Sequence, residues 1–176
     1  MAGQRLTDKT AMDSQAGSGD LLMVVDVSDV SSSAQGTSKK MDFKYVIQTD
    51  KFSLNNTEVQ ALHTTSKTLV GALSGYMVMP LSVTVLCTYA ASAESSNKNL
   101  YFGWDDSQIA LYWDYASRFM GAKSADASYV FAGNQPSAGV DAGSLINKSF
   151  KMWSNGAFTG GWSCDVYMTY AYTKVL

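Results

Sequence analysis

The feature that most constrains the fold is a strict alternation over residues 162–175, WSCDVYMTYAYTKV. The larger, mostly apolar side chains are Trp162, Cys164, Val166, Met168, Tyr170 and Tyr172. Small or polar residues fill most of the positions between them. Because successive side chains of a β-strand point to opposite faces, this pattern predicts a long strand with one buried face.

A second alternating stretch covers residues 76–89. The buried face predicted within it consists of Leu81, Val83, Val85, Cys87 and Tyr89. Shorter strands are predicted at 66–70, 99–104, 108–115, 129–132 and 150–153. An Asn-Gly step follows the last of these and favours a tight turn before the long strand.

One short helix interrupts this β pattern, at residues 57–62. Asn55 precedes it as an N-cap, and Glu58 stands three positions later, as a capping box requires. Seven strands with a single short helix predict an antiparallel β-sandwich or jelly roll over residues 56–176. Residues 48–56, QTDKFSLNN, read as a linker before it.

The N-terminal part reads as a separate small module over residues 1–50. Residues 1–20 are polar and without periodicity, and 21–27 form a short apolar strand broken only by Asp26. A polar turn region at 28–38 follows, and then residues 39–47, which fit either a second strand or a strand that runs into one helical turn. A module of this size lies near the lower limit for folding alone, so we expect it to be stabilised by a partner.

Composition excludes several classes of function. The 176 residues carry a net charge of -2 and contain no basic run, so a nucleic-acid groove is not expected. No apolar run approaches the ~18 residues of a membrane span. The first 17 residues lack the apolar core of a signal peptide, so we expect folding in a cytosol. Charged residues make up only 16%, which suits either a surface partly covered by partners or a β-rich domain with many turns.

The candidate catalytic residues favour structural interpretations. His63 is the single histidine and lies where the helix ends, so we expect a hydrogen-bonded structural role. Asp105 and Asp106 are adjacent in a turn, whereas a glycosidase needs two carboxylates about 5–10 Å apart across a cleft. Asp26 and Asp29 are of calcium-ligand type, but Asx turns are the commoner use of such residues. We therefore expect no enzyme, no metal and no cofactor.

Cysteines and aromatic residues leave alternatives open. Cys87 and Cys164 fall on the apolar faces of their strands, and we favour two buried free thiols over a disulfide. The four tryptophans and ten tyrosines fit either a sandwich core or a sugar-binding surface, and we favour the core. Tyr112 and Tyr167 point outward in the predicted strands, so they are the candidates for contact with a sugar or another subunit.

Two segments resemble proteins of tailed bacteriophages. GDLLMVVDVSD followed by GTSKK, within residues 19–47, resembles a module that begins fibre and decoration proteins of the virion. EVQALHTTSKTLVGALSGYMVMPLSVTV resembles the segment that opens a C-terminal β-sandwich in phage structural proteins. Those sequences often carry a proline where this chain has Ser66.

The resemblance implies a non-enzymatic virion structural protein, assembled in the host bacterial cytoplasm, with the module of residues 1–50 docked on the particle. Other virion proteins of the capsid or tail would be its partners, and a homo-oligomer, most simply a trimer, would be its assembly state. Head decoration or head fibre is preferred to a long tail fibre because the chain is short. The residues expected to contact partners are Leu22, Val24, Val25, Val27, Lys39, Lys40, Tyr112 and Tyr167.

The alternative is a tail-associated tip that binds a receptor or a host surface glycan. That function predicts exposed aromatic side chains clustered in loops 90–98, 116–128 and 133–147. A depolymerase is the third hypothesis, and it would depend on Asp105.

Overall fold

The computed structural model describes residues 21–31, 34, 36–42, 46–104, 112–133 and 142–175. Residues 1–20, the pair Asp105 and Asp106, and the first part of the strand predicted at 108–115 lie outside the described residues. The chain divides into two compact units, Met1–Val46 and Ile47–Leu176. No helix of the described part is both long enough and apolar enough to cross a membrane.

In the first unit, the described residues form one antiparallel hairpin. Strand β1 covers Leu21–Asp26 and strand β2 covers Thr37–Asp42. Their register pairs Leu22 with Met41 and Asp26 with Thr37. The second strand therefore begins two residues before the predicted position.

The described residues of the second unit form eight strands and one α-helix. The strands are β3 (Gln48–Leu54), β4 (Lys67–Val70), β5 (Tyr76–Tyr89), β6 (Leu100–Trp104), β7 (Tyr112–Ala116), β8 (Ala127–Phe131), β9 (Phe150–Ser154) and β10 (Trp162–Lys174). Helix α1 covers Asn56–Ala61, and a 3₁₀ turn covers Ala142–Ser144. Asn55 caps α1 in a complete capping box with Glu58, as predicted.

These strands form two four-stranded antiparallel sheets, in the orders β3-β10-β5-β8 and β4-β9-β6-β7. Strand β3 pairs with β10, β4 with β9, β5 with β8 and β6 with β7, so within this unit the first strand pairs with the last and each following strand with the next one inward. That is one long antiparallel ribbon folded over on itself, which is the topology of a jelly roll. The predicted mainly-β sandwich is confirmed.

Residues 48–56 are not a linker. Gln48–Leu54 pair along β10 as an edge strand, and α1 follows almost at once. Gln48 and Leu54 are buried, while the alternate positions Thr49 and Ser53 hydrogen-bond to β10 through their hydroxyls. The linker prediction was wrong because an edge strand with one polar face shows too little hydrophobic alternation to stand out.

The core lies between the two sheets. Among its largest fully buried side chains are Trp162, Phe102, Phe119, Phe150 and Phe158. The predicted alternation of β10 is confirmed, because its residues from Trp162 to Tyr170 are alternately buried and half-buried. Three of the four tryptophans belong to this core, and Trp153 does not.

Strand β5 departs from the predicted alternation at Leu81. Tyr170 pairs with Pro80 and Thr169 pairs with Ser82, so Leu81 is an extra residue, as in a β-bulge. The buried face moves from Val78 and Pro80 to Val83, and Leu81 remains 39% exposed. The prediction that Leu81 is buried was therefore wrong.

Candidate interaction surfaces

The turn of the hairpin is held by a small polar network. Asp26 accepts hydrogen bonds from the backbone N–H and the hydroxyl of Ser28, and Asp29 accepts one from the backbone N–H of Ser31. Lys39 Nζ lies 2.9 Å from a carboxylate oxygen of each aspartate. Both aspartates therefore form Asx turns and pair with a lysine, which is the interpretation favoured over calcium.

This network lowers the pKa of both carboxyls. Hydrogen bonds from Ser28 and then Lys39 hold the pKa of Asp26 far below its usual range. Hydrogen bonds from Ser31 and then Lys39 lower the pKa of Asp29 to about 2. The turn thus keeps its two negative charges and its one positive charge at neutral pH.

Gly36 closes the same turn in a conformation that suits glycine. Its φ is +113°, and an added Cβ would lie 2.7 Å from the carbonyl oxygen of Asp26 and 2.9 Å from a methyl carbon of Val25. Both the dihedral angle and the contact exclude larger residues. The Gly-Thr-Ser-Lys-Lys step therefore fixes where β2 begins.

The hairpin exposes apolar side chains on both faces. The register places Leu22, Val24 and Lys39 on one face and Val25 and Lys40 on the other. Val27 follows the end of β1 and is 75% exposed. Leu22, Val24, Val25 and Val27 therefore do not form one surface. Val24 and Val25 are neighbours in a strand, so their side chains must point to opposite faces.

Four aromatic rings lie together on the outer face of the second sheet, and we call them the aromatic array: Tyr101, Tyr112, Tyr115 and Trp153. The Tyr101 ring stacks on Tyr115 at a centroid distance of 5.6 Å and on Trp153 at 5.7 Å. Tyr112 contacts Tyr101 at 5.9 Å and Tyr115 at 5.5 Å. Tyr115 is 41% exposed, while Tyr101 is 7% exposed. The ring most open to a partner is therefore Tyr115, beside the predicted Tyr112.

Tyr167 lies on the other sheet, so the structure does not bring it together with Tyr112. It pairs with Lys51 on β3 and Thr84 on β5, and Thr84 pairs with Val130 on the edge strand β8. Lys51 Nζ lies 5.7 Å from the Tyr167 ring centroid and 2.9 Å from an Asp165 carboxylate oxygen. Tyr167 is thus surrounded by polar contacts on the outer face of the first sheet. The exposed apolar side chain on the edge strand β8 is Val130, which is 73% exposed.

The sequence did not reveal the buried carboxylate of Glu94. Only 3% of this residue is exposed. Its carboxylate accepts hydrogen bonds from the backbone N–H groups of Ser96, Thr159 and Gly160, from the Thr159 hydroxyl and from Trp162 Nε1. A single acid in a polar loop gave no signal of this role.

Burial alone would raise the pKa of Glu94. The hydrogen bonds from Ser96, Gly160 and Trp162 outweigh that effect and lower the pKa to about 2. The carboxylate is therefore ionised at neutral pH. It ties the loop after β5 to the turn before β10.

Of the residues considered for catalysis in the sequence, His63 lies within the described part of the chain, whereas Asp105 and Asp106 do not. His63 is exposed, and its Nδ1 lies 3.0 Å from the Gln60 carbonyl oxygen at the end of α1, as expected for a structural histidine. Within the described residues, no three His, Cys, Asp or Glu side chains come together as metal ligands. Loops 90–98 and 116–128 contain one aromatic residue, Phe119, which is 1% exposed. The exposed loop aromatics predicted for a glycan-binding tip are therefore missing from these two loops.

Comparison with known proteins gave matches only among solved structures. No family model matches the chain, and no curated protein gives a significant match. The acid-stable capsid structure of Helicobacter pylori bacteriophage KHP30 matches at a TM-score of 0.43 and 12% identity, over 89% of this chain and 99% of that one. The cyanophage Pam1 capsid asymmetric unit matches at a TM-score of 0.39 and 14% identity, over 97% of each chain.

Proposed function

We propose that this chain is a non-enzymatic structural protein of a bacteriophage virion, attached to the particle through its N-terminal hairpin. The observation that carries the proposal is the exposure of apolar side chains on both faces of that hairpin. On one face Met23 is 72% exposed and Val25 58%, on the other face Leu22 is 37% exposed, and Val27, beyond the end of β1, is 75% exposed. Clustered exposed apolar side chains are typical of interaction sites.

The size of the hairpin supports the same function. An isolated two-stranded hairpin is marginally stable in water, because it has no second layer to bury its apolar side chains. The Asp26–Lys39–Asp29 network and Gly36 define its turn, but these are charged groups and a glycine, which have little apolar side chain to bury. Docking on another protein would bury the exposed apolar side chains of the hairpin and stabilise it by mass action.

The jelly roll is compatible with this function but does not specify it. Jelly rolls occur in viral capsid proteins, lectins and cupins, so the fold alone leaves the function open. The virion assignment therefore rests on the sequence resemblance of residues 19–47 and on the exposed hairpin. Head decoration or head fibre is the location we propose, with a homotrimer as the assembly.

The first experiment tests the hairpin by charge insertion. Val25→Asp and Val27→Asp should each weaken binding to particles that lack the protein, because a buried carboxylate without a partner is costly. Val130→Asp is the matched control, since Val130 is a 73% exposed valine on β8. If both hairpin variants bind as tightly as the wild type, the hairpin is not the anchor. If only Val130→Asp loses binding, the particle contact lies on the jelly roll and not on the hairpin.

A truncation gives a second test. The shortened chain must begin at Ile47, because removing residues 1–50 would cut into β3, which starts at Gln48. Light scattering on both forms should show the same trimeric mass if the jelly roll carries the self-association. Particle binding should be lost in the shortened form alone.

A glycan-binding tip remains the second candidate, and the aromatic array is the observation that favours it. Tyr115 and Tyr112 present ring surface on the edge strand β7, where a sugar could stack. Titration of a glycan panel should then show saturable binding that Tyr115→Ala abolishes. Flat titrations of the wild type across the panel would reject this candidate.

A further inference from the structure

The two cysteines are neighbours in the fold, although the sequence separates them widely. Cys164 on β10 is the direct partner of Cys87 on β5 in the antiparallel ladder. Both belong to the core, with 4% and 2% exposure, and both are free. Directly opposed residues on antiparallel strands have Cβ atoms about 4.5–5.5 Å apart, and a disulfide needs about 3.5–4.5 Å. A small local approach of the strands therefore suffices to join them.

The pair lies close to one end of the sandwich. The ladder between β5 and β10 ends at Trp162 and Tyr89, two positions beyond the cysteines. The pairing of β3 with β10 ends at Cys164, and the pairing of β8 with β5 ends at Cys87. Both edge strands thus stop at the level of the sulfur atoms, so fraying of this end would expose the pair without global unfolding.

In the closed fold the thiols are protected. Burial raises the pKa of Cys87 far above its usual range and that of Cys164 to about 12. Because the thiolate is the species that attacks a disulfide, both side chains are inert while buried. Fraying would rehydrate them and return them to ordinary thiol reactivity.

We propose that Cys87 and Cys164 are a latent redox pair that closes into a cross-strand disulfide when this end of the sandwich opens in the presence of a small-molecule disulfide. One cysteine thiolate attacks the small disulfide, forms a mixed disulfide and releases one small thiol. The other cysteine thiolate then attacks the mixed disulfide at the protein sulfur and releases the second small thiol. Two electrons pass from the cysteine sulfurs to the small disulfide, and the two cysteine protons leave with the two released thiols.

The disulfide would link the two central strands of the first sheet. It would close a long loop of chain, which restricts the unfolded ensemble more than the folded one. We expect the melting temperature of the oxidised protein to rise by roughly 10 °C. Reduction should reverse the change.

The experiment uses the purified full chain and cystamine as the small disulfide. After incubation under native conditions, intact mass should fall by two hydrogens, and the denatured product should contain no free thiol. A non-reducing digest should join the peptides that contain Cys87 and Cys164. Two unreacted thiols, a stable mixed disulfide or a disulfide between chains would each overturn the proposal, provided that the urea-unfolded chain reacts under the same conditions.

Two sets of variants sharpen the test. Cys87→Ser and Cys164→Ser each leave one thiol, and neither should yield an intrachain disulfide. Glu94→Gln weakens the network at Gly160 and Trp162 that holds this end closed, so it should speed oxidation by about tenfold or more. An unchanged rate in Glu94→Gln would refute the route through local opening.

Discussion

Replacement of Glu94 by glutamine tests the physical account of the sandwich most directly. The substitution keeps the shape of the side chain but removes its charge and places an NH₂ group where an oxygen accepted hydrogen bonds. Glu94 Oε2 lies 3.0 Å from the backbone nitrogen of Thr159 and 2.8 Å from that of Gly160. Ser96 N–H donates to Oε1 and Gly160 N–H donates to Oε2, so one of these two donors loses its acceptor whichever oxygen becomes the NH₂ group, in a site that is 3% exposed.

The magnitude follows from the pKa of the carboxyl. Folding lowers it from 4.5 to about 2. At about 1.4 kcal/mol for each tenfold change in proton affinity, ionised Glu94 contributes about 3 kcal/mol to the free energy of unfolding at pH 7. We expect Glu94→Gln to lose a comparable amount, or roughly 6–12 °C in melting temperature.

The contribution of Glu94 to the free energy of unfolding depends on pH, and the direction of its pKa shift gives the sign of that dependence. Because the pKa is lower in the folded state, the contribution is complete above the unfolded value of 4.5 and disappears as the pH falls through about 2. At pH 3 about 1.4 kcal/mol should remain in the wild type. The difference between wild type and variant should therefore narrow between pH 5 and pH 3.

Urea unfolding followed by tryptophan fluorescence measures both quantities. Glu58→Gln is the control, since Glu58 is an exposed carboxylate of the α1 capping box and should show a smaller loss. A loss below about 1 kcal/mol for Glu94→Gln at pH 7 would refute the reasoning. So would a difference between wild type and variant that stays constant from pH 7 to pH 3.

Three further predictions concern other parts of the chain. Asn55→Ala should cost about 0.5–2 kcal/mol in urea unfolding, because it removes the N-cap of α1. Met168→Ala should cost about 2–5 kcal/mol in the same assay, because this fully buried side chain of β10 would leave a cavity. Lys39→Met should raise the pKa values of Asp26 and Asp29 in an NMR titration, because both carboxylates lose their cationic partner; unchanged values would show that the serines alone lower them.

The long central strands could be predicted from sequence because burial on a single face imposes a period of two. Strand β10 packs its alternate residues from Trp162 to Tyr170 into the core, and each intervening residue faces outward. Because the alternation is so regular, the sequence predicted the first residue of β10, Trp162, correctly. The same argument failed at Leu81, because a bulge depends on the partner strand, and one chain segment does not show its partner.

Strand β3 shows a different limit. Its outward residues Thr49, Lys51 and Ser53 find their partners on β10, more than a hundred residues away in sequence. Read alone, QTDKFSL is a polar stretch with two apolar residues, and a linker is a reasonable interpretation. The polar face gains its structural meaning only from pairing with β10.

Locating the candidate surfaces required the strand register as well as the hydrophobic pattern of the sequence. Alternation in the sequence placed Tyr112 on an outward face, whereas the hairpin was proposed as a contact surface from the resemblance of residues 19–47 to phage proteins. Sequence reasoning did not find Glu94, whose five donor groups come from Ser96, from Thr159 and Gly160 in the turn before β10, and from Trp162 at the start of β10. Nor did it find the direct opposition of Cys87 and Cys164.

These omissions have one physical cause. In a jelly roll the first strand pairs with the last, so the contacts that hold charges and thiols in place join residues far apart in the chain. The local periodicity of the sequence predicts which side chains each strand buries. The pairing of strands in the folded ribbon determines which side chains contact each other across neighbouring strands. The same topology places the Glu94 network and the cysteine pair at one end of β10. Loosening that network should therefore change thiol reactivity before it unfolds the sandwich, and the rate of oxidation in Glu94→Gln measures that coupling directly.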